Sequence, residues 1–478
     1  MQRERPSISV QRLSYADKRT HPNLHFGDLR WTTNLRSAVL YRQQQYRFAE
    51  DAPLCSKNHL CFSEIRRGQQ GHDYSLNFVE FKDNGKQFDD RQLAAALKQV
   101  RAARANGGQV TVFIYIHGWH NNAQERDQSP SRDCAQNLYV GDVAKFRNCG
   151  LKVFPDNSEP TSPGAPPRIV GIYLAWHGTD FGWLPFYYVP SYPFRRHFAR
   201  AVGLSGMASA LQSIFTAIEE QRDSYFVIAM GHSFGARVLE AADEVVNPKH
   251  PQAGILRKLR SEESSLRLPV DMVFYVNAAT SHFISIETIK DWQRYCKYGG
   301  STGECGRNPL YLAVSSRADI LTAIVMPIAN IVFFAPTTDR YHIISAANTP
   351  WMQTHAIPRP IHTIPTTLPQ NAFCFAVPVS ESQKVYYEVD PKSDRTPAMF
   401  WAMNSDHWIG SLEGTLHSIP GLRNIVRRHW IISSHGDVWN TGVFNMVRAV
   451  IEAEQKKVLG KVVTCAQSTK GQAPKAQH

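Results

Sequence analysis

A chain of 478 residues with 43% hydrophobic and 20% charged residues has the composition of a globular protein with a large buried core, and this excludes a disordered chain. The formal net charge of +12 permits contact with anionic surfaces, but the Lys and Arg are scattered, with no long basic run and no zinc-finger spacing, so no nucleic-acid partner is expected. The longest apolar run, 321–335, is too short for a comfortable membrane span and contains Pro327 and Asn330, so the chain is read as soluble or at most a peripheral membrane contact.

Residues 1–70 are polar and turn-rich and read as an N-terminal extension. Their opening, Met1-Gln2-Arg3-Glu4-Arg5, carries no secretory apolar segment. Alternation begins at Tyr74, where 74–81 reads as a strand. The run 89–105 reads as a helix, with Leu93, Ala96, Leu97 and Val100 on one face. Five short apolar runs rich in β-branched and aromatic residues then predict buried strands at 110–116, 169–175, 225–230, 270–276 and 310–314. Helical patterns at 198–220 and 236–246 lie between them. Strands alternating with helices imply a mostly parallel sheet covered on both faces, with ligands bound beyond the carboxyl ends of the strands.

The organisation expected is a single α/β domain over 71–460, with insertions near 121–167, 177–196 and 349–428 and a polar tail at 461–478. The insertion at 177–196 is dense in aromatics, and that at 349–428 is Pro-rich near its start. Eight cysteines include three local pairs, Cys55 with Cys61, Cys134 with Cys149, and Cys296 with Cys305; Cys374 and Cys465 are left over. No CxxC spacing occurs, so no metal site is expected. Local pairs in loop-like sequence fit disulfides and an exported protein, periplasmic, secreted or surface-associated, made with a leader that this chain does not carry. A cytoplasmic enzyme with unrelated thiols is the alternative.

The chemistry concentrates at Gly231-His232-Ser233-Phe234-Gly235, which matches G-x-S-x-G. It follows the predicted strand 226–230 and precedes a helix-forming run. That context is what a nucleophile elbow requires: the turn is so sharp that only small residues fit two positions either side of the serine. The hydroxyl is then held above the sheet, at the start of a helix whose amides favour developing negative charge. Upstream, the strand 110–116 ends in His117-Gly118-Trp119, a pattern suited to an oxyanion hole. The two amides would come from Phe234 and Trp119. His117, Gly118, His232 and Trp176 are assigned to the substrate-binding surface, with His117 bracing the loop rather than acting as base.

A nucleophilic serine needs a base and an orienting acid, in chain order Ser, acid, His. Asp319 follows the predicted strand 310–314 and is the acid of choice, its competing role being an N-cap for the next segment. Asp291 and Asp339 follow no buried strand as directly. His435, in a short strand and turn before a helical run at 442–454, is the expected base, and His355 is the alternative.

Taken together, Tyr74 to Phe81, His117-Gly118-Trp119-His120-Asn121-Asn122-Ala123, Ile169 to Trp176 and Gly231 to Gly235 resemble a family of largely uncharacterised α/β-hydrolases carrying an HGW-x-x-N-A stretch and a GHSFG elbow. The resemblance covers roughly 74–320 and resumes near His435. It implies an α/β-hydrolase fold with a mostly parallel central sheet, and a triad at Ser233, Asp319 and His435. The family shows Arg-Gly after the tryptophan, where this chain has His177-Gly178, and the segment between Asp319 and His435 is expanded. Both departures bear on the pocket and lid.

The expected activity is hydrolysis of a carboxylic ester, small-molecule or lipid, through an acyl-serine, with no cofactor. A lipase or phospholipase working at a membrane surface would use the same triad. A non-catalytic relative that only binds is the third reading.

Overall fold

The computed structural model describes residues 63–66, 73–105, 109–119, 121, 123, 142–152, 167–178, 188–219, 221–243, 270–280, 311–315, 319, 359–361, 373–378, 384–389 and 400–404, with isolated positions at 286, 322, 326–327, 447 and 450–451. Strands β1 (Ser63–Arg66), β2 (Tyr74–Phe81), β3 (Val110–Ile116), β4 (Ile169–Trp176), β5 (Tyr225–His232), β6 (Met272–Val276), β7 (Tyr311–Ser315) and β11 (Phe400–Asn404) form one sheet in the order β1-β2-β4-β3-β5-β6-β7-β11. Every neighbouring pair is parallel except β1 with β2. Strands β8 (Arg359–Ile361), β9 (Phe373–Pro378) and β10 (Lys384–Val389) make a separate antiparallel sheet.

The central strands are apolar on both faces because both faces are covered. All seven residues of β3 are buried, and their side chains divide by parity. Val112, Ile114 and Ile116 join one core with helices α1 (Asp90–Arg104), α3 (Tyr188–Val202), α4 (Ala208–Glu219) and α5 (Phe234–Asp243). Phe113 and Tyr115 join the other, with Val143 and Phe146 of α2 (Asp142–Asn148) and with Val447, Val450 and Ile451. This is an α/β fold with a mostly parallel sheet between helices.

Helix α1 begins where the sequence signals it. Asp89 is extended at φ −148° and its carboxylate accepts the Arg91 N–H at 3.0 Å, satisfying one of the orphan donors of the first turn. The helix expected at 198–220 starts earlier, at Tyr188. Tyr192, Arg195, Ala199 and Val202 are all buried, a stripe at helical spacing that the aromatic richness of 177–196 hid. Between α3 and α4 the chain loosens into a π turn at Gly203–Met207, where Gly206 lies against the carbonyl of Gly85. Phe194–Glu219 is long and apolar enough to cross a membrane, yet 61% of its most apolar window is buried inside the fold.

Two strands of the main sheet come from segments read as peripheral. Strand β1 lies within 1–70, and its exchange with β2 is fixed by a buried ion pair in which Arg147 of α2 meets Glu64 at 2.9 Å. Strand β11 lies within 349–428 and pairs in parallel with β7. Its sequence, FWAMN, is too short for a periodic signal, and a parallel partner so far along the chain leaves no local mark.

Helix α1 is tied to the carboxyl end of β2 by a reciprocal pair. Gln92 Nε2 donates to Glu80 Oε2 at 2.8 Å, and the Glu80 N–H donates to Gln92 Oε1 at 2.9 Å. Desolvation of the Glu80 carboxyl, with Asp89 adding to it and the Gln92 bond opposing, raises its pKa from 4.5 to about 7. The folded state therefore holds this proton more tightly than the unfolded chain, so stability falls as pH rises from 4.5 to 7. Glu80→Gln should stabilise the fold at pH 8 by roughly 2–3 kcal/mol and leave it almost unchanged at pH 4, measured by denaturant titration at the two pH values.

Candidate active site

The strand order places a switch point between β3 and β5. From β3 the chain moves to β4 on one side and then returns to β5 on the other, which opens a crevice at the carboxyl ends of those two strands. Ser233 follows β5 and His117 follows β3, so both stand at that crevice. The register sets them side by side, Ile116 opposite Gly231 and His232 opposite Val276.

Ser233 has φ 55°, in the left-handed region that L residues other than Asn and Asp seldom adopt. The neighbours hold it there. Its N–H donates to the Val276 carbonyl at 3.0 Å, and its carbonyl accepts from Ala236 at 3.1 Å and from Ala279 at 3.1 Å. A Cβ on Gly231 would lie 2.5 Å from Ala236 Cα, and a Cβ on Gly235 would lie 2.1 Å from the Ile116 carbonyl oxygen. The two motif glycines are thus required because helix α5 leaves the sheet at once and packs directly on the end of β3. Phe234 opens α5, so its N–H is one of the helix-start amides without an intrahelical acceptor.

The His117-Gly118-Trp119 turn faces the serine. A Cβ on Gly118 would sit 2.8 Å from Ser233 Cβ and 3.1 Å from His232 Nδ1. His117 is fully buried. Its Nδ1–H donates to the Gly118 carbonyl at 2.8 Å, and its Nε2 accepts the Trp176 backbone N–H at 3.2 Å. The Trp176 indole N–H donates to the His117 carbonyl at 2.9 Å, and the two rings stack at 5.9 Å with 8° between planes. This network fixes the neutral Nδ1–H tautomer, and burial lowers the His117 pKa. His232 and Trp176 are also buried. The Trp119 ring is partly exposed and packs on Phe234 at 5.7 Å and Tyr192 at 6.1 Å.

Asp319 lies beyond β7, on the same sheet edge as Ser233 and two strands away. It is fully buried, and Thr322 donates to it twice, from its N–H at 3.3 Å and its hydroxyl at 2.6 Å. It therefore has the capping geometry for the next segment. His435 and His355 lie outside the described residues, as do His120 and Asn122.

Two features of the site had no advance signal strong enough to name. Asn277, at the end of β6 between Ser233 and β7, is fully buried with φ 45°, and its N–H donates to Val314 at 2.8 Å. An asparagine directly after a buried strand was the available hint, since Asn tolerates the left-handed region. Arg195 of α3 donates to the His177 carbonyl at 2.6 Å and pairs with Asp83 at 3.3 Å, holding α3 against the ends of β2 and β4.

No family model matches the chain. The curated proteins hold no match to it. Among solved structures it is similar to a phospholipase, PlaB from Legionella pneumophila in complex with thio-NAD, at 10% identity and a TM-score of 0.23. That alignment covers 73% of this chain and 63% of the phospholipase, less than two thirds of its length.

The contact at Gly235 yields a stability prediction. Gly235→Ala forces a methyl into the Ile116 carbonyl, which cannot move without breaking the β3–β5 ladder. It should cost about 3 kcal/mol or more in denaturant unfolding, far above the fraction of a kcal/mol that Gly→Ala gains at a permissive position.

Proposed function

We propose that the chain is a serine hydrolase of the α/β-hydrolase type that cleaves carboxylic esters through an acyl-serine. The observation that carries this reading is the left-handed Ser233, held at the switch point between a buried strand and a helix with the Gly118 backbone against its Cβ. In the proposed reaction Ser233 Oγ attacks the ester carbonyl carbon while His435 takes its proton. The tetrahedral oxyanion sits between the amides of Trp119 and Phe234. It collapses with transfer of the proton to the leaving alcohol, and water then releases the acid by the same steps. Asp319 orients and stabilises the imidazolium.

The resemblance to the HGW-x-x-N-A family belongs to this reading. Where that family shows arginine after the tryptophan, His177 stands here, and the Arg195 guanidinium lies 3.2 Å from its Nδ1. Export of the protein belongs to the same reading and rests on the local cysteine pairs of the sequence, Cys55 with Cys61, Cys134 with Cys149, and Cys296 with Cys305. A lipase or phospholipase would work by the same mechanism, with the aromatic stretch 177–194 or the apolar run 321–335 of the sequence against the lipid. Activity that rises sharply above the critical micelle concentration of the substrate would support interfacial action.

A fluorophosphonate probe should label the folded protein, and Ser233→Ala should abolish labelling and ester turnover. Folded wild-type protein that resists the probe would sink the enzyme reading and leave a binding protein. His435→Ala should lose about 10⁴-fold or more in kcat while His355→Ala retains activity. The reverse pattern, read from kinetics on a panel of acyl lengths, would transfer the base to His355.

A further inference from the structure

The His117 ring stacks with the rings of Tyr173 at 5.5 Å and Trp176 at 5.9 Å. What it holds is the Gly118 carbonyl, at 2.8 Å. That carbonyl and the Trp119 N–H belong to one peptide unit, which is planar and trans, so the N–H points opposite to the C=O. Pinning the oxygen on one side therefore aims the hydrogen on the other. The pin is itself oriented from β4. The Trp176 N–H reaches His117 Nε2 just past the last paired residues of the two strands, Ile116 and Leu174, and the indole N–H fixes the His117 carbonyl. Gly178 closes the arrangement, for a Cβ there would stand 2.9 Å from the same Gly118 oxygen.

We propose that His117 and Trp176 are positioning residues for the oxyanion donor: the neutral imidazole, oriented by Trp176, holds the Gly118–Trp119 peptide so that the Trp119 N–H points at the oxyanion formed on Ser233. This rests on the hydrolase reading above and assigns to buried side chains a part in it that needs no contact with substrate. The lock works in one protonation state. An imidazolium would turn an N–H at Nε2 against the Trp176 N–H and lose the acceptor. The groups around the ring are Tyr115 of β3, Tyr173 of β4, whose ring stacks on it at 5.5 Å, Asp142 of α2, which accepts the Tyr115 hydroxyl at 2.7 Å, and His232 of β5 across Gly118. Burial outweighs the attraction of Asp142 and keeps the ring neutral.

The test compares four variants of the full chain by kcat, KM, second-order fluorophosphonate labelling and Tm. His117→Phe keeps a ring but removes the donor to Gly118. His117→Asn returns a donor near the Nδ1 position. Trp176→Phe keeps the stacking surface without the indole N–H. Val112→Ala weakens the same strand away from the network. With one oxyanion donor misaimed, His117→Phe should lose about 100-fold in kcat and in labelling rate with KM within about twofold. His117→Asn should recover at least about tenfold of that, and Trp176→Phe should lose about tenfold. Val112→Ala, assayed well below its Tm, should keep kcat within about twofold. The inference is overturned if Val112→Ala loses as much kcat as His117→Phe at a similar Tm, or if His117→Phe labels at the wild-type rate. Should His117→Phe not fold, wild-type kcat and labelling rate in Trp176→Phe overturn it equally. Wild-type protein that does not label at all defeats the hydrolase reading instead, which separates the two failures.

Discussion

The contact on which the site depends is the one between helix α5 and the end of β3. Gly235 lies so close to the Ile116 and His117 carbonyls that no side chain fits, and this proximity forces the chain to leave β5 through a single left-handed residue. Strain at Ser233 is thus a consequence of packing a helix tightly against a parallel sheet at its switch point. Such strain, of order 1–3 kcal/mol, persists only where the surroundings over-determine it. Here they do so through three backbone hydrogen bonds to Ser233, drawn from Val276, Ala236 and Ala279.

The same principle recurs one strand over. Asn277 leaves β6 with φ 45°, and its N–H is fixed by Val314 of β7. Consecutive strands therefore end in left-handed residues on the same edge, where backbone groups no longer find ladder partners. Buried polar groups need hydrogen bonds, and beyond the last paired residues turns and side chains must supply them. His117 Nε2 supplies one for Trp176, and Asp319 supplies two for Thr322. The edge to which the proposed chemistry is assigned is also the edge where satisfying the backbone demands polar side chains.

That explains what the sequence disclosed and what it hid. Strands β3, β4, β5, β6 and β7 were legible because burial on both faces demands unbroken apolar runs, and α1 because Asp89 caps a one-sided stripe. Ser233 was legible because the motif itself is local, a serine between two glycines after a buried strand and before a helix, although only Gly231 is imposed by a contact close in the chain, with Ala236, and Gly235 by the distant Ile116 carbonyl. Strands β1 and β11 were not, since each is short: β1 pairs with the neighbouring β2 but is anchored by the distant Arg147, and the partner of β11 is the distant β7. The early start of α3 was hidden in the same way: its buried stripe includes Arg195, a residue type that reads as exposed until Asp83 and the His177 carbonyl are seen to receive it. The imidazole's place in the site was half visible. A strand ending in His-Gly marks the turn, but nothing local reveals that Trp176, 59 residues on, orients the ring.

Two independent sets of forces converge on Trp119. Its peptide plane is aimed by polar contacts through Gly118, while its ring is seated by apolar ones, on Phe234 of α5 and Tyr192 of α3. The rings of Tyr192 and Phe234 also meet each other at 5.4 Å, so the residues flanking the crevice share one aromatic cluster. Helix α3 brings Tyr192 to it because Arg195, one turn later, is clamped to the ends of β2 and β4. Separating the two tasks has a physical advantage. Dispersion contacts are nondirectional and locate a residue, whereas a hydrogen bond to a rigid peptide sets its direction. On the proposed reading of Trp119 as an oxyanion donor both are needed, because an amide displaced or tilted must reorganise as the charge appears in the transition state.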